Sequence, residues 1–547
     1  MRWWGWGDPA APPALPPHAL GFLRENVGVA EQPRPPVALE HVSMAPSSLG
    51  ESLLAKLRAI VGSDGVSDTH EQRVLHAAGK GYPDLVRLRA GEPEGAPDAV
   101  LYPADHEQVR ALLELCESSS IAVVPFGGGT SVVGGVEPLR GEHGGVVSLD
   151  MARMGALLSL DGESRTVTVQ AGMRAPALER ILAAEGFTLG HFPQSYEYVS
   201  LGGCAATRSA GQASTGYGAI EKMVLGMRLA APRAEIMLPA LPATAAGPSL
   251  RQLLVGSEGT LGVISELALR VRPAPAARIY EGLFFEDLAA GVQALEGLSR
   301  EHALPDVTRL SDEQETRMSL ALAGSGGVKG RLGRAYLGAR GYGEGCLAIF
   351  GFEGGEEEVA SRRSRALELA RACGGLRVGR SPGQAWLHGR FAGPYLRDDL
   401  LTHGVMVETL ETATQFSSLL SLREGVARAI AAALEARGTP GLVMCHVSHV
   451  YETGASLYFT LIARQNEDDL LGQWRKVKEA AARAILEGGG TITHHHAVGR
   501  DHAPWMEREV GAGGLRALRA LKAELDPAGI MNPGKLLGAA GLSRPSG

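Results

Sequence analysis

The stretch Pro125-Phe-Gly-Gly-Gly-Thr-Ser-Val-Val-Gly-Gly135 directly follows a short apolar strand that the pattern predicts over Ile121–Val124. Three adjacent glycines let backbone N–H groups converge on an anion without interference from Cβ atoms. The hydroxyl groups of Thr130 and Ser131 add two more donors. The segment therefore predicts an anion-binding loop, and a glycine-rich hairpin without a ligand is the alternative interpretation.

The same loop excludes two familiar nucleotide-binding motifs. No lysine follows the glycines, so the G-x-x-x-x-G-K-[ST] loop of phosphate-binding NTPases is absent. The continuation Gly134-Gly-Val-Glu-Pro138 cannot begin a long helix, so the loop is not the strand-to-helix turn of a G-x-G-x-x-G dinucleotide fold. A phosphate group must therefore be held by another arrangement of loops.

Two more segments rich in small residues lie between the first loop and residue 264. One is Leu201-Gly-Gly-Cys-Ala-Ala-Thr-Arg-Ser-Ala-Gly211, and the other is Gly256-Ser-Glu-Gly-Thr-Leu-Gly-Val-Ile264, which precedes a strand. Their glycines permit tight turns and a close approach of the backbone to a flat polar ligand. Three such loops in one domain are explained most simply by one extended dinucleotide that contacts all of them.

The composition narrows the class of protein. Of the 547 residues, 73 are glycine, which is about 13% and nearly twice the ordinary share of about 7%. An apolar content of 45% with 21% charged residues allows a large core and excludes global disorder. The net charge of −7 excludes a broad cationic surface for nucleic acid. Five scattered cysteines without a C-x-x-C pair argue against a disulfide framework and favour a reducing cytoplasm.

Patterns along the chain predict four parts. Residues 1–94 are a proline-rich and helical segment, in which the apolar spacing predicts a helix near Ser48–Ile60. Residues 95–275 alternate short strands, helices and glycine-rich loops as an α+β unit, in which Asp105 is expected to cap a helix and residues 166–170 to form a half-buried strand. Residues 276–510 form a second domain. Residues 511–547 form a C-terminal helix that returns to the first domain. We expect neither a membrane-spanning segment nor a secretory signal, because no sufficiently long apolar run occurs.

The three loops resemble the FAD-binding domain of the vanillyl-alcohol-oxidase-type flavoprotein superfamily. The block at residues 256–264 and the tail Asp526-Pro-Ala-Gly-Ile-Met-Asn-Pro-Gly-Lys535 are similar to those of D-lactate dehydrogenases and glycolate oxidases. This resemblance implies an α+β fold with a PCMH-type FAD-binding domain and an α/β substrate domain. Some relatives attach the flavin through a histidine in the first loop, where this chain has Gly128-Gly-Thr-Ser131, so we expect non-covalent FAD.

The residues that the resemblance assigns to FAD come from the three loops and from a short segment near residue 194. Gln194 stands where relatives have aspartate, so one flavin contact is expected to differ. The expected FAD-binding residues are Pro125, Gly127, Gly128, Gly129, Thr130, Ser131, Val132, Pro193, Gln194, Ser195, Val199, Ser200, Gly202, Gly203, Thr207, Arg208, Ser209, Ala210, Ser257, Glu258, Gly259, Thr260, Leu261, Gly262, Val263 and Ile264.

The segment Thr491-Ile-Thr-His-His-His-Ala-Val-Gly499 has the most unusual local composition of the chain. In an extended segment His494 and His496 would face one side and His495 the other. Adjacent histidines in a strand converge poorly on a metal ion, so we expect no metal site. Two interpretations remain open, namely a surface cluster and a group that transfers a proton near neutral pH.

The pattern His-His-His-x-Val-Gly resembles the signature of the alkyldihydroxyacetonephosphate synthase (alkylglycerone-phosphate synthase) family. D-lactate dehydrogenases usually read Glu-His-Gly at this position. Since no targeting extension precedes Met1, we expect a bacterial-type member. The resemblance extends over nearly the whole chain, through Met1-Arg-Trp-Trp-Gly-Trp-Gly7, Gly190-His-Phe-Pro-Gln-Ser195, Thr308-Arg-Leu-Ser-Asp312, Tyr395-Leu-Arg-Asp398 and Tyr451-Glu-Thr-Gly-Ala-Ser-Leu-Tyr-Phe459.

The family resemblance implies a redox-neutral transferase of ether-lipid biosynthesis. The acyl chain of acyl-dihydroxyacetone phosphate is exchanged for a long-chain fatty alcohol through an adduct at flavin N5. Arg397 is expected to bind the phosphate group, and Arg309 to support it or the carbonyl. Tyr458 falls on the catalytic tyrosine of the family, but its pKa of about 10 must be lowered by a nearby cation before it can take a proton.

The remaining catalytic candidates are histidines, and the sequence leaves open which group takes the proton. They are His191, His494, His495 and His496. Two other functions stay open: an FAD-dependent 2-hydroxy-acid (D-lactate or glycolate) dehydrogenase, in which Arg397 binds a carboxylate, and a non-catalytic flavin-binding protein. The apolar substrate predicts a tunnel near Phe391–Val407. It also suggests peripheral contact of a cytoplasmic protein with a membrane. We further expect a homodimer.

Overall fold

The structure is a computed structural model that describes residues 1–8, 15–322 and 328–538. Part of the predicted proline-rich segment, residues 9–14, lies outside the described residues. Helices and sheets alternate along the chain, and three sheets organise the described part of the molecule. This arrangement is the α+β class that the sequence predicts.

The first sheet has the strand order β1-β2-β4-β3, in which β2, β4 and β3 are parallel and β1 is antiparallel to β2. Helix α5 packs beside it, and Asp105 caps this helix by accepting the backbone N–H of Gln108, as the sequence predicts. The strands are β1 (Val66–Ser67), β2 (Ala99–Leu101), β3 (Ile121–Phe126) and β4 (Gly145–Asp150). The helices are α1 (Pro17–Asn26), α2 (Glu51–Val61), α3 (His70–Leu75), α4 (Tyr82–Ala90) and α5 (His106–Ser118).

The second sheet is antiparallel, with the order β5-β6-β10-β8-β9, and β7 pairs with β11 in a separate ribbon. The predicted strand over residues 166–170 is β6, whose Val167 and Val169 are buried. The strands are β5 (Leu157–Asp161), β6 (Thr166–Gln170), β7 (Phe187–Thr188), β8 (Val224–Ala230), β9 (Glu235–Leu238), β10 (Val263–Arg270) and β11 (Arg272–Pro273). The helices are α6 (Ala175–Ala184), α7 (Leu201–Ala206), α8 (Ser214–Tyr217), α9 (Ile220–Met223) and α10 (Leu250–Leu254).

The third sheet has the order β15-β12-β14-β13-β17-β18-β16, and its paired strands are antiparallel. Helices of this part of the chain join the sheet in one hydrophobic cluster. The strands are β12 (Ala277–Phe285), β13 (Val307–Ser311), β14 (Cys346–Gly354), β15 (Leu376–Gly379), β16 (Val405–Gln415), β17 (Gly441–Val450) and β18 (Gly454–Arg464). The helices are α11 (Leu288–Arg300), α12 (Glu313–Leu322), α13 (Val328–Ala339), α14 (Glu356–Ala372), α15 (Ser381–Gly389), α16 (Gly393–Thr402), α17 (Phe416–Glu435), α18 (Leu470–Glu487) and α19 (Met506–Leu525).

Both ends of the described chain pack against elements that are remote in sequence. The predicted C-terminal helix over residues 511–547 is α19, which spans only Met506–Leu525 and is interrupted at Gly511 with a φ of 73°; residues 526–538 follow it without a helix. After this helix, Val123 of β3 donates its N–H to the carbonyl of Ile530 at 2.8 Å. At the other end, the carboxylate of Asp398 accepts the N–H groups of Trp6 and Gly7. The tail therefore returns to the first sheet, while the N-terminus lies on α16.

Among the described residues, no helix combines the length and the apolar character that crossing a membrane requires.

Candidate active site

A cavity of about 620 Å³ lies between the glycine-rich loops and one face of the third sheet. This volume falls within the range of roughly 300–1,000 Å³ that is typical of small-molecule sites. Alternate residues of β16, β17 and β18 point into it, because side chains of a strand alternate between two faces. The cavity has a glycine-lined wall, a polar centre and an apolar end.

The glycine-lined wall contains most of the residues that the sequence assigns to FAD. Arg208, Ser257, Thr260 and Leu261 do not line the cavity, although they belong to the same loops. The predicted residues that do line it are Pro125, Gly127, Gly128, Gly129, Thr130, Ser131, Val132, Pro193, Gln194, Ser195, Val199, Ser200, Gly202, Gly203, Thr207, Ser209, Ala210, Glu258, Gly259, Gly262, Val263 and Ile264.

The first loop offers hydrogen-bond donors to a ligand. Within the described part of the chain, the backbone N–H groups of residues 128–131 have no acceptor in the protein. A Cβ atom at Gly128 would collide with the carbonyl oxygen of Tyr198, so the backbone runs too close to its neighbour for any larger residue. Since four neighbouring N–H groups on the cavity side have no acceptor among the described residues, the loop fits an acceptor-rich ligand such as the diphosphate of FAD.

Two predicted site residues have a structural rather than a cavity-lining position. The Arg208 guanidinium donates to the carbonyls of Gln252 and Val255, at 3.3 and 3.2 Å, and so ties the second loop to the end of α10, directly before the third loop. His191 is fully buried behind the wall, where its Nε2 lies 3.2 Å from Ser209 Oγ. Burial lowers the pKa of His191 to about 4. Neither side chain reaches the polar centre of the cavity.

Tyr458 lies at the polar centre, on β18. In the sheet register it lies opposite Glu411 of β16 on one side and His446 of β17 on the other. Its ring is stacked with the rings of His446 and His495, at centroid distances of 4.9 and 5.8 Å, and meets the His496 ring edge-on at 5.5 Å. The predicted tyrosine and two of the predicted histidines therefore lie together.

The three adjacent histidines are carried by a loop, which we call the triple-histidine loop (residues 491–499), and not by a strand. The predicted orientation is therefore wrong: His495 and His496 both line the cavity, whereas His494 does not. The loop makes one backbone bond to β16, from the N–H of Thr491 to the carbonyl of Ala413 at 3.1 Å, and bonds otherwise largely to side chains; Ala497 has a φ of 74°. The Nδ1 atoms of His494 and His495 lie 2.8 Å apart, and Nε2 of His494 lies 2.5 Å from the Tyr451 hydroxyl.

Burial determines the protonation states of this cluster. It raises the pKa of Tyr458 above the ordinary value of 10.0, although Thr409 and Arg397 oppose the shift. It lowers the pKa values of all three histidines of the loop well below 6.5. The cation that a base role of Tyr458 requires is present in Arg397, but burial outweighs its effect on the pKa. At neutral pH the phenol keeps its proton and the imidazoles are uncharged bases.

Arg309 reaches the cavity from β13 and belongs to a network that the sequence did not reveal. It donates to Glu315 Oε1 at 2.9 Å and to His446 Nε2 at 3.1 Å, and His446 Nδ1 lies 2.9 Å from the same carboxylate oxygen. His446 Nδ1 must be protonated to bond a carboxylate, so its Nε2 accepts from Arg309. Arg309 and His446 outweigh burial and lower the pKa of Glu315 to about 2.

Arg397 reaches the cavity from α16, and its side chain is buried. One guanidinium nitrogen donates to the carbonyl of Lys80 at 3.1 Å. Within the described residues, the other guanidinium N–H groups have no acceptor. A buried guanidinium with donors left over is suited to an anionic ligand.

His449 is a further cavity-lining residue that the sequence pattern does not predict. Strand alternation would place it away from His446, but the register of β17 shifts between Val447 and Val450, and both histidines line the cavity. Ligand atoms of His449, His494 and His495 lie within 4.8 Å of one another, a spacing that a divalent cation could use. The expectation of no metal site assumed that the three histidines lie in a strand, and that assumption does not hold for this loop.

The far end of the cavity is apolar. It is enclosed by the helices α1, α12 and α16 and by the strands β16, β17 and β18. Helix α16 and the start of β16 lie in the segment Phe391–Val407, where the sequence predicts a tunnel. The residues that line this end include Leu15, Ala19, Phe22, Leu23, Met318, Leu322, Leu396, Leu400, Val407, Met444 and Ile462.

Comparison with known proteins agrees with this geometry. Residues 97–237 match the family model of an FAD binding domain, and residues 274–536 match the C-terminal domain of FAD linked oxidases. The chain is 32% identical to alkyldihydroxyacetonephosphate synthase of Dictyostelium discoideum, across 98% of this chain and 93% of that protein. The predicted cofactor, FAD, is confirmed.

Solved structures support the same assignment. A structure of alkyldihydroxyacetonephosphate synthase is 30% identical, with a TM-score of 0.85 over 97% of this chain and 98% of that one. A structure of p-cresol methylhydroxylase shares the fold at 16% identity, with a TM-score of 0.69 over 91% of this chain and 99% of that one. The predicted fold class is therefore confirmed. The chain belongs to the alkyldihydroxyacetonephosphate synthase family.

Proposed function

We propose that this protein is an FAD-dependent alkylglycerone-phosphate synthase of ether-lipid biosynthesis. It converts acyl-dihydroxyacetone phosphate and a long-chain alcohol into alkyl-dihydroxyacetone phosphate and a fatty acid. The reaction is redox-neutral, since one C–O bond breaks and another forms. The observation that carries the proposal is one cavity that joins a dinucleotide-binding wall, a guanidinium and imidazole centre, and an apolar end.

The two ends of the cavity match the two ends of the substrate. The apolar end receives the hydrocarbon chain, and each buried methylene contributes about 0.8 kcal/mol. Arg397 binds the phosphate group from the side of α16, because its unpaired N–H groups can form charge-assisted hydrogen bonds. Arg309 is already held by Glu315, so it supports the carbonyl rather than providing the main phosphate contact.

The polar centre moves the proton of the substrate carbon. When bound, FAD supplies the electron-accepting ring of the reaction. His495 accepts the proton through Nε2 in the neutral tautomer whose Nδ1–H donates to Nδ1 of His494. His494 in turn contacts the Tyr451 hydroxyl, so the three groups can share the proton. Tyr458 keeps its own proton and donates a hydrogen bond.

The test uses the purified, FAD-loaded protein. Incubation with acyl-dihydroxyacetone phosphate and hexadecanol should release fatty acid and form the alkyl ether, which mass spectrometry detects. Anaerobic addition of D-lactate or glycolate should leave the flavin absorbance unchanged. Bleaching by either acid without ether formation would establish a dehydrogenase, and neither reaction would indicate a binding protein.

Three further properties are part of the proposal. The described cysteines are free thiols, which supports a reducing, cytoplasmic compartment. The exposed Leu332 and Tyr336 of α13 support peripheral contact with a membrane, and liposome flotation tests this. The exposed Met237 on the edge strand β9 supports a homodimer, which light scattering after size-exclusion chromatography tests.

A further inference from the structure

The geometry points to Glu411 as the residue that positions the triple-histidine loop. Its side chain is 3% exposed, and its strand places it opposite Tyr458. Oε1 accepts the Thr493 hydroxyl at 2.7 Å and the N–H of His496 at 2.6 Å, and Oε2 accepts the N–H of His494. The loop is thus folded around one carboxylate from a distant strand.

This arrangement explains why the loop has a defined shape without belonging to a sheet. Three donors from residues 493, 494 and 496 converge on two oxygen atoms, which only a carboxylate can accept in full. No arginine or lysine bonds Glu411 in the described residues, and His496 Nδ1 is 3.5 Å from Oε1. The carboxylate therefore accepts hydrogen bonds mainly from the backbone of the loop. By fixing this backbone it fixes the positions of the His495 and His496 rings.

The inference rests on the proposed function, in which imidazoles of this loop receive a proton. Glu411 does not line the cavity, so it acts through the loop and not on the substrate. Glu411→Gln keeps the size of the side chain but replaces one acceptor with an NH₂ group that faces an N–H donor. A displacement of about 1 Å of a catalytic group costs about 100-fold in rate.

The expected result for Glu411→Gln is a fall in kcat of about 100-fold, with KM for both substrates and the absorbance of bound FAD unchanged. Glu408→Gln is the matched control on the same strand. Glu408 is 1% exposed and accepts the Thr409 N–H and the Trp474 indole N–H, but it does not line the cavity or contact the loop. We expect kcat of this control to stay within about twofold of the wild-type value.

A double-mutant cycle separates positioning from general damage. If Glu411 acts through the loop, Glu411→Gln should cost less than about threefold in a His495→Ala background, because the proton acceptor that it positions is already absent and interacting sites are not additive. An equal cost in both backgrounds, or wild-type kcat in Glu411→Gln, would overturn the inference. If Glu411→Gln does not fold, Thr493→Val removes one donor instead, and kcat should fall about tenfold.

A readout without turnover distinguishes this inference from the proposed function. Diethyl pyrocarbonate modifies neutral imidazoles, and mass spectrometry of peptides reports the rate at each histidine. His495 and His496 should react faster in Glu411→Gln than in wild type and Glu408→Gln. Equal rates in all three proteins would refute the positioning role. If the wild type shows no alkyl exchange but these rates differ as expected, the proposed function fails and the positioning role stands.

Discussion

Replacing Arg397 by methionine should weaken the binding of acyl-dihydroxyacetone phosphate far more than that of the alcohol. Arg397 is 6% exposed, and one of its N–H groups is already bonded to Lys80. Two remaining charge-assisted hydrogen bonds to a phosphate, at about 1.5–3 kcal/mol each, give a loss of at least about 3 kcal/mol. Since about 1.4 kcal/mol equals a factor of ten, we expect KM to rise about 100-fold or more.

The assay measures initial rates against acyl-dihydroxyacetone phosphate at saturating alcohol, and against alcohol at saturating phosphate substrate. Inorganic phosphate should also inhibit the wild type more strongly than Arg397→Met. Arg397→Lys keeps the charge but loses the planar fork, so we expect an intermediate KM, about tenfold above the wild-type value.

The matched control is Arg363→Met, which removes a guanidinium that pairs with Glu281 away from the cavity. Its KM values should equal those of the wild type. Unchanged KM for acyl-dihydroxyacetone phosphate in Arg397→Met would show that another group binds the phosphate. Equal rises in both KM values would mean that the variant distorts the cavity as a whole.

Three further outcomes follow from the site. A histidine with a lowered pKa stays neutral as pH falls through 6.5, and a tyrosine with a raised pKa keeps its proton up to pH 10, so neither His495 nor Tyr458 should add a midpoint to kcat/KM between these values; a midpoint in that window that disappears in His495→Gln or Tyr458→Phe would contradict the burial argument. Val407→Phe narrows the apolar end, so about three methylenes of a long alcohol should no longer be buried there. The KM for hexadecanol should then rise about 50-fold relative to the KM for a short alcohol. Equal effects on both alcohols would show that the hydrocarbon chain binds elsewhere. Gly128→Ala should abolish FAD retention on a desalting column, because its Cβ meets the Tyr198 carbonyl, and a yellow, fully loaded protein would contradict this.

Local patterns were enough to predict much of the fold. The cap at Asp105 and the alternation over residues 166–170 follow from contacts within a few residues, and both are confirmed. The glycine-rich loops were recognisable because a backbone that must approach a ligand or another backbone excludes side chains. The same reasoning placed Gly128 and its neighbours on the cavity wall.

The missed features depend on contacts that are remote in sequence. His449 reaches the cavity because β17 shifts its register against β18, which a strand pattern does not reveal. Glu315 joins the site only because α12 begins beside His446. His191 lies in a family motif, but a motif does not report burial, and the structure places this side chain behind the wall.

The triple-histidine loop shows why these long-range contacts matter for the chemistry. Glu411 of β16 holds residues 493–496, and Glu258 of the third glycine-rich loop accepts the N–H groups of Val498 and Gly499 at 2.8 and 2.7 Å. One carboxylate belongs to the substrate side of the cavity and the other to the FAD side. The distance between the imidazoles and the cofactor-binding wall is therefore set by two anchored ends of one short loop.

The same burial that makes this site costly to charge also makes it suitable for proton transfer. Desolvation keeps His495 neutral, so it is available as a base without a partner carboxylate on its ring. It also keeps Tyr458 protonated, so the neighbouring phenol can donate to a developing negative charge instead of competing for the proton. The protonation states of His495 and Tyr458, and therefore their roles, depend on their burial in the cavity. A variant that admitted water beside His495 should lose activity even with every catalytic side chain in place.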